Sequence, residues 1–580
     1  MVAIYLIAAF PILKKAVRNI RHGEIFDENF LMTVASIGAL ILGEYVEGIS
    51  VMVLYRIGEY LQDRAVARSR ESISGLMDIR PDYANIEKDG ELVRVDPSEL
   101  SVGSVIVIKP GERIPADGEV IEGFSSLDTA AITGESLPRD VEPGSEVYSG
   151  TINLNAVLRV RVTAPASEST AARILDLVEN ATSRRAKAEK FITKFARYYT
   201  PAVCGAAALL MVLPPLLFRQ PWSVWVSRGL IFLVVSCPCA LIISIPLGFF
   251  AGIGAASSRG ILVKGGNYLE ALTKVDTLVF DKTGTLTKGI FKVASAHPAD
   301  GMDKDGLIEL ACLAEAFSDH PISRSLEDSY GKPVDRSRVS EAEEHAGHGV
   351  SATVDGRRIS CGNIKLMRSL GIDCEESSEP GTAVYVAADG QYLGCIVISD
   401  ELKPDSAQAV KDLKAAGLKK LVMLTGDKSV IAQKVASELS IDEVYGDLLP
   451  QDKVEKTREL KKELPDGRIL GFVGDGINDA PVLAASGLGI AMGGMGSAAA
   501  VEAADIVLMN DRPSDVATAV KIAKKTMRII YEDIAFSLFV KIGVLILAAF
   551  GFANMWLAIF ADVGVCMIAI LNSMRALRVN

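Results

Sequence analysis

An aspartate at the end of an apolar run carries the sharpest chemical signature in the chain. Thr277-Leu278-Val279-Phe280 predicts a buried strand, and Asp281-Lys282-Thr283-Gly284-Thr285 follows it directly. A carboxylate held at a strand end can attack a phosphoryl group and form an aspartyl-phosphate. A helix cap is the alternative interpretation, because Asp followed by Thr and Gly often begins a helix.

Two further apolar runs end on residues that suit the same reaction. Leu421 to Leu424 precede Thr425-Gly426-Asp427, and Ile469 to Val473 precede Gly474-Asp475-Gly476-Ile477-Asn478-Asp479. Asp475 and Asp479 add carboxylates that suit Mg²⁺ beside a phosphate, Thr425 offers a hydroxyl, and Lys453 offers a positive charge. The repeated order of strand, acidic loop and helix predicts a doubly wound α/β domain with its site at the carboxyl ends of the strands.

A pair of cysteines lies inside an apolar segment, as Cys237-Pro238-Cys239. Side chains two residues apart on a regular helix point about 200° apart, so the two sulfurs of an unbroken helix could not share an ion. Pro238 breaks the helix and lets them converge. Thiolates select soft or borderline cations such as Cu⁺, Zn²⁺, Cd²⁺ and Pb²⁺. The alternative is a kinked helix with two small apolar side chains.

Two ionisable residues, Lys541 and Asp562, lie in apolar segments near the C-terminus. A charge inside a membrane is costly and usually functional. Two thiolates and one carboxylate around a divalent cation leave one net negative charge, which Lys541 would neutralise. This count favours a divalent ion over Cu⁺. Snorkelling toward the membrane surface is the alternative for Lys541.

The composition requires both membrane and soluble parts. The chain has 580 residues, of which 49% are hydrophobic and 23% are charged, so it is neither a purely soluble enzyme nor mostly membrane. A net charge of -11 argues against a surface that binds nucleic acid. The eight cysteines are scattered, which excludes a disulfide framework and is typical of domains in a reducing compartment.

Apolar stretches long enough to approach a bilayer of about 30 Å occur in three places: 1–13 with 32–57, 198–218 with 230–253, and 534–550 with 556–571. The second and third places are hairpins, so the soluble blocks 62–192 and 259–528 share one side. Basic residues flank both blocks, which predicts that this side is cytoplasmic. If 32–57 is a short hairpin, the stretch 1–13 must enter the membrane from outside with no span before it, which predicts a missing upstream helix. A secretory signal is disfavoured because the basic residues follow the apolar run.

Together these motifs resemble the phosphorylation-domain signatures of P-type ATPases, a branch of the haloacid-dehalogenase-like fold. Thr133-Gly134-Glu135-Ser136 resembles the family's actuator loop, and His320-Pro321 resembles the nucleotide-domain signature of its heavy-metal-transporting members. The likeness runs from Ile12 to Leu577.

The resemblance implies a multidomain fold: an α-helical transmembrane bundle, a β-rich actuator domain, a haloacid-dehalogenase-like α/β phosphorylation domain and an inserted α+β nucleotide-binding domain. The expected bounds are 1–61 for N-terminal membrane helices, 62–192 for the actuator domain, 193–258 for the central membrane hairpin, 259–289 and 397–528 for the phosphorylation domain, 290–396 for the nucleotide-binding domain, and 529–580 for the C-terminal membrane hairpin. The family's first helix and N-terminal metal-binding domain are expected to be absent.

The same resemblance assigns catalytic roles. ATP phosphorylates Asp281, while Mg²⁺ is held by Asp281, the Thr283 carbonyl and Asp475, with Asp479 in support. Simple phosphatases of this fold carry a second aspartate where this chain has Thr283, so the phosphoenzyme should persist until Glu135 activates water. The remaining implied catalytic residues are Lys282, Thr285, Thr133, Gly134, Thr425, Gly426, Asp427, Lys453 and Asn478.

Binding residues are implied in the same way. The adenine and ribose of ATP would contact residues of the insert, namely Glu315, His320, Gly347, Gly349, Gly362 and Asn363. Cys237, Cys239 and Asp562 would hold the transported metal, with Lys541 as charge partner. Glu47, at the break in the first hairpin, matches an acidic residue implicated in metal release, although a surface loop glutamate explains it equally well.

The expected function is therefore ATP-driven export of Zn²⁺, and also of Cd²⁺ or Pb²⁺, from the cytoplasm. The resemblance is to the zinc, cadmium and lead branch, because the Tyr-Asn and Met/Ser signatures of copper pumps are not found. A monomer in a bacterial plasma membrane is expected. The alternatives are a Cu⁺ or Co²⁺ exporter, a membrane-tethered phosphatase of the same fold, and a metal sensor or storage protein. The sequence does not rank the three divalent metals.

Overall fold

The computed structural model describes residues 2–22, 28–75, 81, 83–88, 91–129, 138–172, 186–236, 239–318, 321–345, 348–377, 379, 381–475, 479–493 and 502–578. The predicted site residues outside these ranges are Thr133, Gly134, Glu135, Cys237, His320, Gly347 and Asn478, and for Cys239 only the backbone is described. The chain forms two compact units, residues 1–274 with 518–580 and residues 275–517.

Three helices begin the first unit: α1 (Val2–Arg21), α2 (Glu28–Ile41) and α3 (Tyr45–Gly75). The break between α2 and α3 falls at residues 42–44, where Gly43 has a φ of +85° that favours glycine. Glu47 therefore lies half-buried in the first turn of α3, one turn beyond the break where the sequence placed it. Because α3 continues to Gly75, it also runs through the expected boundary at 61/62; a helix need not end where it leaves the lipid.

A β-rich domain follows. Its strands are β1 (Ala84–Lys88), β2 (Glu91–Val95), β3 (Val105–Ile108), β4 (Gly118–Glu122), β5 (Ser125–Asp128), β6 (Arg139–Val141), β7 (Glu146–Val147), β8 (Ile152–Asn153) and β9 (Leu158–Val162). They form one sheet in the order β2-β1-β3-β9-β4-β7 and a smaller one in the order β6-β5-β8. In β9, Leu158, Val160 and Val162 are buried while the two intervening arginines are exposed, which is the alternation of a half-buried strand.

The first unit then returns to helices: α4 (Lys187–Phe218), α5 (Trp222–Val235) and α6 (Cys239–Ser257), followed by β10 (Ile261–Val263) and α7 (Gly266–Leu272).

The second unit contains two kinds of sheet. Its elements are β11 (Val275–Asp281), β12 (Thr287–Pro298), α8 (Lys304–Ala314), α9 (Pro321–Tyr330), β13 (Val339–His345), β14 (Gly349–Val354), β15 (Arg357–Gly362), α10 (Ile364–Ser369), β16 (Thr382–Ala388), β17 (Gln391–Leu402), α11 (Ser406–Ala415), β18 (Lys420–Leu424), α12 (Ser429–Leu439), β19 (Glu443–Tyr445), α13 (Pro450–Lys462), β20 (Ile469–Gly474), α14 (Ala480–Ala485), β21 (Leu488–Ala491) and β22 (Ile506–Leu508). The strands of the parallel sheet follow the order β22-β21-β20-β11-β18-β19, and the antiparallel sheet has the order β12-β17-β16-β15-β14-β13.

The strands β12 and β17 join the two sheets of this unit. They pair antiparallel from Thr287 opposite Leu402 to Pro298 opposite Gly394, so the chain leaves the parallel domain and returns to it along one two-stranded ribbon. The expected boundaries at 289/290 and 396/397 therefore fall within strands, because the same two strands serve both domains.

The chain ends with α15 (Ser514–Phe550), α16 (Met555–Ile559), a π-helical turn at Phe560–Gly564 and α17 (Val565–Ser573). Since α15 is continuous, it runs through the expected boundary at 528/529. Four spans are long and apolar enough to cross a membrane: Tyr198–Phe218, Ser514–Phe550, Met555–Leu577, and Trp222–Ser257, which combines α5 and α6 and includes two residues, 237 and 238, outside the described ranges. Residues of α1, α2 and α3 pack against α5, α15 and α16 in one apolar cluster.

Candidate active site

The parallel sheet brings three of the predicted motifs to one edge. The central strand β11 is buried along its whole length and ends on Asp281, between β18 and β20. Both neighbours run parallel to it, with Asp281 opposite Leu424 and Phe280 opposite Val473. Thr425 and Asp475 immediately follow these two strands, so both lie at the same edge as Asp281.

Asp281, Lys453 and Asp479 form the centre of this site. Lys453 Nζ donates to Asp281 Oδ1 at 2.6 Å and lies 3.2 Å from Asp479 Oδ1. Burial raises the pKa of Asp281 to about 7, the charges of Asp479 and Asp475 add to this, and Lys453 opposes it. Burial also raises the pKa of Asp479. For Lys453, burial alone would lower the pKa, but the two carboxylates outweigh it and raise the pKa.

The loop after Asp281 is a tight turn that only glycine suits. Thr283 has φ/ψ of -75°/130° and Gly284 of 72°/-14°, which are the angles of a type II turn with glycine at its third position. A Cβ built on Gly284 would lie 3.0 Å from Asp475 Oδ2, so the Asp475 side chain lies against this turn. Lys403 holds the turn from the other direction, since its Nζ donates to the Gly284 carbonyl oxygen at 2.7 Å and to Asp511 Oδ1 at 2.6 Å.

Lys282 and Thr425 connect the loop to the next strand end. Lys282 Nζ lies 2.5 Å from Asp427 Oδ2 and 3.8 Å from Asp400 Oδ2. Thr425 is 1% exposed, and its Oγ1 accepts from the Asp427 backbone N–H at 3.1 Å. The motif Thr425-Gly426-Asp427 is thereby fixed against the loop that follows Asp281.

The antiparallel sheet contains the described part of the predicted nucleotide pocket. Glu315 is 6% exposed and accepts from Ser323 Oγ at 2.7 Å. Gly349 and Gly362 face each other across β14 and β15, and a Cβ on either would lie 2.2 Å from a backbone carbonyl oxygen of the opposite strand region. Asn363 caps α10, its Oδ1 accepting from the backbone N–H groups of Lys365 and Leu366. The predicted nucleotide contact Asn363 thus also has a structural role.

In the membrane helices, the predicted charge pair lies together. Lys541 and Asp562 are 2% and 3% exposed, and Lys541 Nζ donates to Asp562 Oδ1 at 3.1 Å. Lys541 Nζ also donates to the Val235 carbonyl oxygen at 3.3 Å. Val235 is the last residue of α5, where helix carbonyls lack intrahelical partners, and Cys237-Pro238-Cys239 follows it.

Two family models match separate parts of the chain. Residues 78–179 match the P-type ATPase actuator domain, and residues 275–487 match the haloacid dehalogenase-like hydrolases. The cadmium, zinc and cobalt-transporting ATPase of Bacillus subtilis is 53% identical over 577 residues, covering 99% of this chain and 82% of that protein. The chain belongs to the heavy-metal-transporting P-type ATPases.

Other relatives agree with this assignment. The zinc-transporting ATPase of Synechocystis is 48% identical over 573 residues, covering 98% of this chain and 79% of that protein. A crystal structure of a zinc-transporting PIB-type ATPase in the E2.Pi state is 36% identical, has a TM-score of 0.64, and covers 100% of this chain and 94% of its own. The predicted family and fold class are therefore confirmed, and the ATPase is an integral membrane protein.

Like other P-type ATPases, this one uses Mg²⁺, and the donors at the phosphorylation site fit it. Asp281, Asp475 and Asp479 offer carboxylate oxygens, and Lys453 places one ammonium group among them. Among the described residues, no three Asp, Glu, His or Cys side chains form a complete metal-binding group. Mg²⁺ usually binds one or two carboxylates together with phosphate oxygens and water.

Two residues that hold this site were missed by the sequence analysis. The Asp400 side chain is buried beside the candidate site, where it accepts from Thr287 Oγ1 at 2.5 Å and from the Gly289 backbone N–H at 2.9 Å. Lys403 is 5% exposed and fixes Gly284 as described above. Both follow the apolar run Ile396 to Ile398. Polar residues that follow an apolar run also mark Asp281, so the same signal identifies Asp400 and Lys403 as candidates.

Substitution of Gly284 by Ala tests whether a clash with the Asp475 side chain, in addition to backbone strain, weakens the binding of Mg²⁺. Gly289→Ala is the matched control, since Gly289 also has a positive φ, +69°, but its Cβ would meet nothing closer than 3.6 Å. Each variant should lose about 1 kcal/mol of stability from the left-handed backbone. Only Gly284→Ala should also raise the Mg²⁺ concentration needed for half-maximal phosphorylation, because it displaces Asp475. Equal Mg²⁺ dependence in both variants would contradict a role for Asp475 in holding the ion.

Proposed function

We propose that this ATPase exports a divalent soft metal from the cytoplasm, Zn²⁺ above all and also Cd²⁺ or Pb²⁺, through an aspartyl-phosphate on Asp281. The observation that carries the choice of cargo is the buried Lys541–Asp562 pair beside the end of α5, where Cys237-Pro238-Cys239 follows. The ammonium group of Lys541 offsets the one net negative charge that a divalent cation leaves when it is held by two thiolates and one carboxylate. The names of the two relatives, a cadmium, zinc and cobalt-transporting ATPase and a zinc-transporting ATPase, support a divalent cargo that includes Zn²⁺ and Cd²⁺.

Phosphorylation begins with the free oxygen of Asp281. Oδ1 accepts from Lys453, so Oδ2 is the atom that attacks the γ-phosphorus of ATP. The bond from that phosphorus to the bridging oxygen of ADP breaks, and ADP leaves. Lys453 offsets the charge of the carboxylate and of the incoming phosphate, and Thr425 and Thr285 offer hydroxyl donors. The Thr285 Oγ1 is buried and has no hydrogen-bond partner among the described residues, which supports this role.

Mg²⁺ would be held by Asp281, Asp475 and the Thr283 carbonyl, with Asp479 in support, and would supply positive charge beside the phosphoryl oxygens. Thr283 stands where simple phosphatases of the fold have their acid, so hydrolysis waits for Glu135 of the actuator domain. Dephosphorylation then depends on a domain movement, which couples it to transport.

At the metal site, Cys237, Cys239 and Asp562 bind the cargo. The Lys541–Asp562 contact supports a second role for Lys541: it provides a counter-ion for Asp562 after the metal has left. An empty site then does not leave an unpaired carboxylate in the membrane.

We also infer the location and the oligomeric state of the ATPase. The membrane is the plasma membrane of a bacterium, the soluble domains lie in the cytoplasm with bounds close to those expected, and the ATPase acts as a monomer. Glu47 lies half-buried in the first turn of α3, which is compatible with a place on the release path.

Turnover across a panel of Zn²⁺, Cd²⁺, Pb²⁺, Cu⁺, Co²⁺ and K⁺ tests the proposed function. We expect stimulation by Zn²⁺, Cd²⁺ and Pb²⁺. Stimulation by Cu⁺ alone would favour a copper exporter, while hydrolysis of small phosphate esters without metal stimulation would favour a tethered phosphatase. Metal binding without turnover would favour a sensor or storage protein.

His320→Gln should affect the forward and backward reactions differently. Phosphorylation by ATP should require several-fold more nucleotide, because a contact to adenine is lost. Phosphorylation by inorganic phosphate should stay close to wild type, since it needs no nucleotide. His297→Gln is the control, because His297 is exposed and pairs with Glu379 in the same domain. An equal loss in both directions would mean that His320 is structural.

A further inference from the structure

A second buried carboxylate lies on α15, away from the Lys541–Asp562 pair. Asp533 is 2% exposed, and it accepts from Ser573 Oγ at 2.7 Å and from Asn572 Nδ2 at 2.9 Å. Ser573 Oγ also lies 3.1 Å from the Ser244 carbonyl oxygen of α6. The direct partners of Asp533 in the described part of the chain are thus neutral groups on α17.

Arg575, two residues after Ser573 in sequence, contacts groups other than Asp533 among the described residues. Arg575 donates to Asn572 Oδ1 at 2.6 Å and lies 3.7 Å from Glu532 on the outer face of α15. Asp533 is therefore a carboxylate enclosed among helices, and its hydrogen-bond donors in the described part of the chain are all neutral. Such a site is stabilised when a cation comes to it.

Two buried hydroxyls accompany this carboxylate. Ser537 lies four residues after Asp533 and four before Lys541, so these three side chains share one face of α15. Ser244 shares a face of α6 with Gly248, whose built Cβ would lie 3.7 Å from Ser573 Oγ. Both serines are fully buried, and neither Oγ has a hydrogen-bond partner among the described residues. A buried hydroxyl left without a partner is costly, which points to a polar species that passes this way.

The spacing of these side chains along α15 suits a metal ion that moves from one oxygen ligand to the next. Eight residues separate Asp533 from Lys541, which is about 12 Å along a helix, and Ser537 divides this distance in half. Asp533 lies near the middle of α15, on the N-terminal side of Lys541, so it is the nearer of the two to the end at which the chain arrives from its soluble segment. A line of oxygen atoms therefore leads along α15 toward the Lys541–Asp562 pair.

We propose that Asp533, Ser573, Ser537 and Ser244 form an oxygen-only waypoint for the divalent metal on its way to the thiolate site. This inference rests on the proposed export function. Carboxylate, hydroxyl and carbonyl oxygens bind Zn²⁺ less tightly than thiolates do, so the metal is stabilised at the waypoint but not trapped there.

The test measures phosphoenzyme formation from ATP in the purified full chain as a function of Zn²⁺. In Asp533→Asn the half-saturating Zn²⁺ concentration should rise about tenfold, while the amount of Zn²⁺ bound at equilibrium stays at the wild-type stoichiometry. Asparagine can accept the hydrogen bond from Ser573 but then places its NH₂ group against Asn572 Nδ2, so thermal unfolding of the variant is measured beside the Zn²⁺ dependence to separate a loss of stability from a loss of metal binding. Glu532→Gln, at the adjacent exposed position, is the matched control and should behave as wild type.

Ser537→Ala gives a second variant that breaks no hydrogen bond to a described residue. We expect about a threefold rise in half-saturating Zn²⁺. A wild-type Zn²⁺ dependence in Asp533→Asn overturns the waypoint; if that variant does not fold, a wild-type dependence in Ser537→Ala overturns it. Absence of Zn²⁺-dependent phosphorylation in the unmodified chain would instead overturn the export function, and the waypoint with it.

Discussion

Asp281→Asn should reduce the acid-stable, hydroxylamine-sensitive label from γ-labelled ATP to background, a fall of at least about 10³-fold. The amide is a poor nucleophile, although it has the size of the carboxylate and can still accept from Lys453. The labelled protein, separated under acidic conditions, gives the measurement. Because the side chain keeps its shape, the loss should not be accompanied by unfolding.

Asp276→Asn is the matched control for this change. Asp276 lies on the same strand β11, is 5% exposed and pairs with Lys419 at 3.0 Å, so it undergoes the same chemical change at a similar depth. Its label should stay near the wild-type level. Label that survives in Asp281→Asn would disprove the proposed phosphoenzyme, whereas loss in both variants would indicate damage to the sheet.

The second large effect concerns the Lys541–Asp562 pair. Lys541→Ala leaves a buried carboxylate unpaired, so the metal-free ATPase should be destabilised by about 3–5 kcal/mol. Saturating Zn²⁺ should restore much of this stability, because the metal replaces the ammonium group as the counter-ion. Turnover should remain defective, since release would again expose the unpaired charge. Thermal unfolding with and without Zn²⁺, beside the ATPase rate, measures both effects.

Asp562→Asn should behave in the opposite way. It takes the carboxylate away from buried Lys541 and removes the proposed metal ligand, so Zn²⁺ should neither restore stability nor stimulate turnover. Native Zn²⁺ affinity in this variant would remove the main support for a divalent cargo. Exposed Glu532 on the same helix, changed to Gln, serves as the control for loss of one carboxylate.

Three strands of the parallel domain could be predicted from sequence because β11, β18 and β20 each contain a short apolar run that leads into a polar residue of the site. Thr277 to Phe280 lies in the fully buried strand β11, and the aspartate at its end marks the site without any knowledge of distant contacts. The buried charges Lys541 and Asp562 could be recognised for the same reason, since a charge in an apolar helix is conspicuous.

Features that depend on pairing across the chain were not predictable in this way. The strands β12 and β17 are more than 90 residues apart in sequence, and no local pattern shows that they form one ribbon. The contacts of Asp400 and Lys403 with the loop after Asp281 have the same origin, because each joins residues over 100 positions apart. Asp533 was overlooked because it stands at the edge of an apolar segment, where a carboxylate is ordinary.

The ribbon of β12 and β17 has a consequence for how such a chain can arise. Its two strands leave and rejoin the parallel domain side by side, with Thr287 opposite Leu402. Residues beyond this point could be exchanged for a short hairpin without altering the order or direction of the parallel strands. A phosphoryl-transfer domain could therefore have gained its nucleotide-binding part by one in-frame insertion of genetic material, since domains with adjacent ends are tolerated at such positions.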